Sequence, residues 1–205
     1  MDAAALRASW ADAWRSIGVA NANPALLDEL LARYDEPQRA YHTRQHLAEC
    51  LQHVDRERAH AEHPGEVALA LWFHDAIYDL DRHDNEARSA DWARQALRDA
   101  GAAPEIAERV HALVMATCHD AAPHGKDAQL LVDIDLAILG APPARFDEYE
   151  RQIRVEYAHI PPEVFEPRRR EILGRFLARD PLYQTPSMRN LLEASARRNL
   201  LQAVR

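Results

Sequence analysis

His74 and Asp75 close the apolar run Ala68-Leu69-Ala70-Leu71-Trp72-Phe73 and are followed by Ala76-Ile77-Tyr78. An imidazole and a carboxylate therefore lie inside a stretch that otherwise reads as core. Burying a neutral polar group without a partner costs roughly 2–7 kcal/mol, and a charge costs more. A metal ion is a partner that offsets this well. Adjacent helical residues point about 100° apart, so the pair converges on an ion only over the surface between them.

Three further segments carry the same chemistry. In Arg39-Ala40-Tyr41-His42-Thr43-Arg44-Gln45-His46, the two histidines are four apart and share a face if the segment is helical. Both could then bind one metal, or one could bind while the other faces the substrate. Asp133-Ile134-Asp135 lies in the apolar stretch Leu130–Leu139, where a buried carboxylate needs a cation or several N–H donors. His119 stands at the end of a helix and the mouth of a loop, where it could face a pocket. Each segment also has a structural alternative. These are surface histidines at 42 and 46, a helix-terminal role for His74 and Asp75, a cap and an ion pair for the two aspartates, and a solvated His119. Imidazole and carboxylate donors together suit Mn²⁺, Ni²⁺, Co²⁺, Fe²⁺, Zn²⁺ or Mg²⁺, and donor type alone does not choose among them. Such an ion activates water for attack on phosphorus or carbon, and His is a natural proton donor to the leaving group.

The elements that must position these groups read as helix after helix. Apolar residues recur at helical spacing through Leu6–Ile17, Leu26–Tyr34, Leu47–Val54, Ile106–Val114, Phe146–Tyr157, Val164–Ala178 and Leu191–Leu200. Asn23-Pro24 and Thr185-Pro186 are helix starts, and Gly101 is placed to stop the helix that begins at Asn85. The third helix is expected from Tyr41 to about His60, the apolar segment from Gly65 to Tyr78, and a loop over 119–127. Leu130–Leu139 would also suit a buried strand. Pro142-Pro143 and Pro161-Pro162 mark helix junctions. Trp10, Trp14, Trp72 and Trp92 read as packing residues, and Arg168-Arg169-Arg170 as a solvated face. One all-α domain over residues 1–205 is the expectation.

Composition narrows the classes. The chain has 205 residues, 47% of them hydrophobic, and a formal charge of −8. The acidic balance argues against a nucleic-acid duplex as partner, which needs clustered Lys and Arg. Two cysteines, Cys50 and Cys118, without a CxxC pattern, support neither a disulfide framework nor a thiolate metal site. No apolar run approaches the 18–20 residues of a membrane span, and no secretory leader pattern is seen at Met1–Ala5. A soluble, cytoplasmic protein is expected. The eleven histidines outnumber the six glycines, so a histidine-based site is the feature to explain.

The order His, His-Asp, Asp resembles that of the HD-domain metal-dependent phosphohydrolase superfamily. The likeness is to a small bacterial branch of uncharacterised predicted HD phosphohydrolases. It rests on Arg39-x-Tyr41-His42-x-x-x-His46, Trp72-Phe73-His74-Asp75-x-x-Tyr78, Asn85-Glu86-x-x-Ser89-Ala90, Thr117-x-His119 and Asp133-x-Asp135-Leu136-x-x-Leu139-Gly140. It spans roughly residues 5–200. The resemblance implies a single HD-type helical bundle, its metal-binding core over about 37–140 and its C-terminal helices packed on that core. It implies a divalent ion held by His46, His74, Asp75 and Asp135, with Asp75 able to bridge a second ion. It also implies His42 as the acid that protonates the leaving oxygen, the reverse assignment of His42 and His46 being the alternative. Asp135 is chosen over Asp133 because it precedes Leu136 as in the superfamily.

On the substrate side, Arg39, one turn before His42, is expected to meet a phosphate. Asn85 and Glu86 are expected to line the pocket or orient a ligand, and His119 to face it. The function expected is hydrolysis of a small phosphate ester or nucleotide, with His42 and Asp75 at the chemistry. The alternatives are a metal-retaining, ligand-binding or regulatory protein without turnover, and a di-iron oxygenase.

Overall fold

Every regular element in the computed structural model is helical; it describes residues 1–20, 23–119 and 121–205. The expected all-α class is what it shows, with ten α-helices and no strand among the described residues. The chain divides into two compact units, Met1–Val132 and Asp133–Arg205. The division falls inside the 37–140 span expected for a metal-binding core. No helix among the described residues is long and apolar enough to cross a membrane.

The first unit contains α1 (Ala3–Ser16), α2 (Pro24–Tyr34), α3 (Arg44–Glu57), α4 (Pro64–Phe73), α5 (Asn85–Asp99) and α6 (Pro104–Met115). Helix α7 (Lys126–Asp135) contains the division. Apart from Glu66, which pairs with Arg109, helix α4 is apolar on every side, and all its residues from Gly65 to Phe73 are buried. Such a helix belongs at the centre of a unit, and α1, α3, α5 and α6 all pack on it. Gly65 permits a close approach of α1, because a Cβ there would stand 2.6 Å from Ser16 Cβ. The tryptophans do pack. Trp10 sits edge-on to Trp14 and Trp72, and Phe73 edge-on to Trp92, with ring centroids 5.2–5.8 Å apart.

Local start and stop signals act where the sequence places them. Asn23 caps α2 by accepting from the Ala25 N–H, and Gly101 follows α5 in the left-handed region. Two boundaries differ from expectation. Helix α3 begins at Arg44 rather than Tyr41, because extended Thr43 is its cap and accepts from the Gln45 N–H. Helix α4 ends at Phe73 although the apolar run continues, for reasons that belong to the site. Asp120, inside the loop expected over 119–127, lies outside the described residues.

The second unit contains a 3₁₀ segment (Leu136–Gly140), α8 (Pro143–Glu156), α9 (Pro162–Ala178) and α10 (Pro186–Ala203). The Leu130–Leu139 stretch is thus helical throughout, as the end of α7 and then the 3₁₀ segment. The Tyr183 hydroxyl donates to Leu136 O, and Asn199 Nδ2 donates to Leu139 O and Ala141 O, which satisfies carbonyls a 3₁₀ segment leaves unpaired. Gly140 admits α10 closely, since a Cβ there would stand 2.7 Å from Leu192 Cβ.

Candidate metal centre

The C-terminal end of α4 explains both the early stop and the site. The last turn of a helix leaves carbonyls without intrahelical partners, and burial requires that each find a donor. Trp72 O accepts from the Tyr34 hydroxyl at 3.1 Å, and Phe73 O from the Ala76 N–H at 2.9 Å. Asp75 O and Ala76 O accept from the Arg39 guanidinium at 2.6 and 3.3 Å. Leu71 O lies 2.7 Å from His74 Nδ1. Side chains from α2 and from the turn before α3 thus peel the chain out of the helix at His74, and Asp75 is free to fold back over it.

The Leu71 contact fixes the chemistry of His74. A carbonyl only accepts, so Nδ1 carries the proton and Nε2 presents a lone pair in the neutral ring. His46, buried on the first turn of α3, has its Nδ1 3.0 Å from the Tyr41 hydroxyl. Its Nε2 lies 3.1 Å from His74 Nε2. Asp75 Oδ2 lies 3.0 Å from His74 Nε2 and 3.4 Å from His46 Nε2. This oxygen is buried, and no hydrogen-bond donor is aligned with it.

Three electron-rich atoms therefore form a triangle that protons satisfy poorly. A proton on His46 Nε2 could serve the His–His edge, but with its proton on Nδ1 a neutral His74 turns a lone pair toward the Asp75 oxygen 3.0 Å away. A cation serves all three. Donors bonded at about 2.1 Å stand about 3.0 Å apart at right angles and about 3.4 Å apart at tetrahedral angles. The observed sides match this range, so the residues fit a divalent ion. Each imidazole is also steadied through its other nitrogen, the arrangement typical of ligating histidines.

Burial alone would raise the Asp75 carboxyl. In their protonated, positively charged form the His74 and His42 imidazoles, with the hydrogen bonds from His46 and His74, outweigh it and hold the group well below the usual carboxylate range. Burial pushes the neighbouring Tyr34 phenol up to about 12, so it remains a donor to Trp72 O.

His46, His74 and Asp75 are brought together. His42 lies before the α3 cap, so the shared helical face expected for 42 and 46 is not how they meet. Its half-buried ring stacks on Tyr78 with centroids 4.2 Å apart, and stands 5.9 Å from the His46 ring. Arg39 has a different task from the one expected. Its guanidinium is buried between Tyr34 and Tyr78, and its N–H groups go to Glu36, His42 O, Asp75 O and Ala76 O. All five of its N–H positions face protein acceptors, so no N–H remains for a phosphate.

Asn85 clasps the loop before α5, donating to Asp79 O and accepting from the Asp79 N–H. Glu86 follows in the first turn of α5. His119 takes a left-handed φ of 57° after the 3₁₀ turn Ala116–Cys118 and lines a cavity of about 560 Å³ with His63, Arg109 and Lys126. His46, His74 and Asp75 are not among the described residues lining that cavity. Glu62, His63 and Asp127, which also line it, are close enough to share an ion. Asp127 is already engaged there, accepting from the Glu62 and His63 N–H groups at the start of α4.

In the second unit, Asp133 is fully buried and accepts from the Gln184 N–H, the Thr185 N–H and the Thr185 hydroxyl at 2.8, 2.7 and 2.6 Å. It fastens the start of α10 and has a structural task. Asp135 is the last residue of α7.

A residue that the sequence reading passed over is Cys50. It is buried on α3 one turn after His46, with Sγ 3.7 Å from His46 Nδ1 and 3.8 Å from Nε2, so it packs beside the ring rather than on the Nε2 lone pair. The signal was its spacing of four from His46, not a cysteine motif. No family model, curated protein or solved structure matches this chain.

Proposed function

We propose that the protein is a cytoplasmic, metal-dependent phosphohydrolase of the HD type that acts on a small phosphate ester or nucleotide. The observation that carries this reading is the triangle of His46 Nε2, His74 Nε2 and Asp75 Oδ2, with sides of 3.0–3.4 Å and no aligned donor to the carboxylate oxygen. When bound, a divalent ion supplies an activated water and offsets charge on the phosphoryl oxygens.

The chain's own groups do the rest. Tyr41 and Leu71 O hold the two imidazoles in orientation. Arg39 holds the backbone of His42, Asp75 and Ala76 in one piece, so the acid and the ligand segment keep their spacing. His42, flanked by Tyr41 and Tyr78, is assigned to hold a proton at a ring nitrogen for the leaving oxygen. The family resemblance adds Asp135 as a further ligand, and Asn85, Glu86 and His119 as groups near the substrate.

The test is metal analysis of protein purified without added ions, followed by a phosphate-release screen over monoesters, diesters and nucleotides with several divalent ions. About one ion per chain and metal-dependent release from at least one substrate class are expected. Full metal with nucleotide binding but no release would identify a ligand-binding protein instead. Two irons per chain and an O₂-sensitive spectrum would identify an oxygenase.

A further inference from the structure

We infer that the leaving group of the substrate is an uncharged, polyhydroxylated alcohol, held by Asp81 and Arg88 in a preformed cavity beside Tyr78. The inference rests on the phosphohydrolase reading above and narrows its substrate class. The cavity measures about 380 Å³, the size of a small-molecule site. Its walls are the end of α2, the turn after it, the loop 77–81 and the first turn of α5. All of these belong to the first unit, as does the triangle of donors. Tyr78 lines the cavity, and its ring also stacks on His42, the group assigned to protonate the leaving oxygen, with centroids 4.2 Å apart. An alcohol released at His42 thus has a cavity one side chain away.

The polar groups around the cavity fall into two sets. One set holds the walls. Asn85 clasps Asp79 through its N–H and O, and Asp79 Oδ1 accepts from the Asp81 N–H. The Ser89 hydroxyl accepts from the Ile77 N–H, and Arg33 and Gln38 are both tied to Glu36. The cavity is therefore fixed before a ligand arrives, which lowers the cost of binding. The other set is unspent. Among the described residues, the Asp81 carboxylate and the Arg88 guanidinium have no hydrogen-bond or ion-pair partner, and Asp84 acts on Arg88 only through its field.

This second set selects the ligand. Arg33 and Arg88 stand against Glu36, Asp79 and Asp81, so the walls carry one more negative than positive charge. An anionic group would be repelled there, and the phosphoryl group belongs with the ion. A hydroxyl both donates and accepts, so adjacent hydroxyls can give to Asp81 and take from Arg88 at once. Ile77, Tyr78 and Leu80 offer an apolar side to the C–H groups between them. Carboxylate, guanidinium and apolar wall together fit a sugar-like alcohol. The reaction balances as phosphate ester plus water giving the polyol and inorganic phosphate. The P–O bond to the alcohol breaks, its oxygen takes the proton held by His42, and the attacking water's proton passes to solvent, which recharges His42.

The test has two readouts on the full chain. Saturation-transfer NMR of metal-free protein follows binding of methyl β-ribofuranoside, methyl α-glucopyranoside and serine. Transfer to at least one glycoside and none to serine is expected, falling at least about fivefold in Asp81→Ala and Arg88→Ala. Both residues are exposed, so neither substitution strands a buried group. No transfer to either glycoside, or transfer to serine alone, would overturn the inference. The second readout is kcat/KM of metal-loaded protein for ribose 5-phosphate and glucose 6-phosphate against n-butyl phosphate, the same kind of ester without hydroxyls. The wild type should prefer one of the sugar phosphates by at least about tenfold, and either substitution should remove about tenfold of that preference, the worth of a hydrogen bond to a charged group. No preference, or variants that lower all three esters alike, would overturn the inference and leave the phosphohydrolase reading standing. Glycoside binding without phosphate release from any ester would overturn the phosphohydrolase reading, and with it the leaving-group role, while the polyol site would stand.

Discussion

Asp75 and Asp133 are the same residue type in similarly apolar stretches, and the structure treats them in opposite ways. Asp133 accepts three hydrogen bonds from Gln184 and Thr185. Burial still pushes its carboxyl above the ordinary value, because those donors only partly offset desolvation. Asp75 has a buried oxygen with no aligned donor, and only when the neighbouring imidazoles carry positive charge do they hold its carboxyl well below the usual range. Backbone N–H groups and a hydroxyl complete the first carboxylate, which ties a helix start to the end of α7. The second faces lone pairs and is complete only with a positive charge. A carboxylate embedded in apolar sequence therefore does not announce its role. The role is set by whether the groups around it carry hydrogens or lone pairs.

The largest contrast should come from removing each carboxylate or its partner. His74→Ala and Asp75→Ala are expected to abolish bound metal and to lower phosphate release by about three powers of ten, since several kcal/mol of transition-state stabilisation depend on the ion. In metal-free protein, Asp75→Ala should lower stability near neutral pH and lose that effect as pH falls below the ordinary carboxylate range, because a carboxyl held down by its neighbours favours the folded state. Metal analysis, phosphate release and urea unfolding of the same preparations check this. Asp133→Ala is the counterpart. It strands two buried N–H groups and a hydroxyl and should cost about 3 kcal/mol in denaturant unfolding, with metal content retained. Loss of metal in Asp133→Ala with unchanged stability would erase the distinction.

Arg39 sharpens the same contrast at a smaller scale. Arg39→Lys keeps the charge but loses the planar fork that grips three carbonyls. Metal affinity should fall about 10–100-fold while the fold persists, as read by metal titration and circular dichroism. If Arg39 instead bound phosphate, the variant would raise KM and leave metal affinity unchanged.

The smallest effect concerns Glu193, a second carboxylate satisfied by N–H donors. Burial opposes its ionisation, but the Tyr183 and Leu182 N–H groups and Arg197 outweigh this and hold its carboxyl below the usual range. A depressed folded value means that Glu193 contributes stability above its unfolded pKa of about 4.3, and that this contribution is lost as pH falls through the lower folded value. Wild type should therefore lose stability relative to Glu193→Gln as pH drops from about 5 to 3, read from unfolding midpoints. A constant difference across that range would contradict the assignment.

Much of this was legible in the residues, and the gaps have physical causes. Asn23-Pro24, Pro143, Pro162 and Thr185-Pro186 mark helix starts because proline and cap chemistry act within a few residues. His46, His74 and Asp75 stood out because hydrophilic side chains in or beside core sequence need partners. The end of α4 was not legible, because Arg39 and Tyr34 set it from elsewhere in the chain. The same holds for Arg39, two of whose three carbonyl partners, Asp75 O and Ala76 O, are 36 and 37 residues away. Cys50 was passed over because a single buried cysteine is ordinary core. The four-residue spacing of His42 and His46 does not give a shared helical face because Thr43 caps α3 between them.

Crystals soaked in Zn²⁺ and examined by anomalous scattering at the zinc edge test the central claim most directly. The account predicts one strong peak about 2.0–2.2 Å from His46 Nε2, His74 Nε2 and Asp75 Oδ2 together. A fully soaked crystal with no peak among those three atoms, and with the Asp75 oxygen paired to a protein N–H, would contradict it.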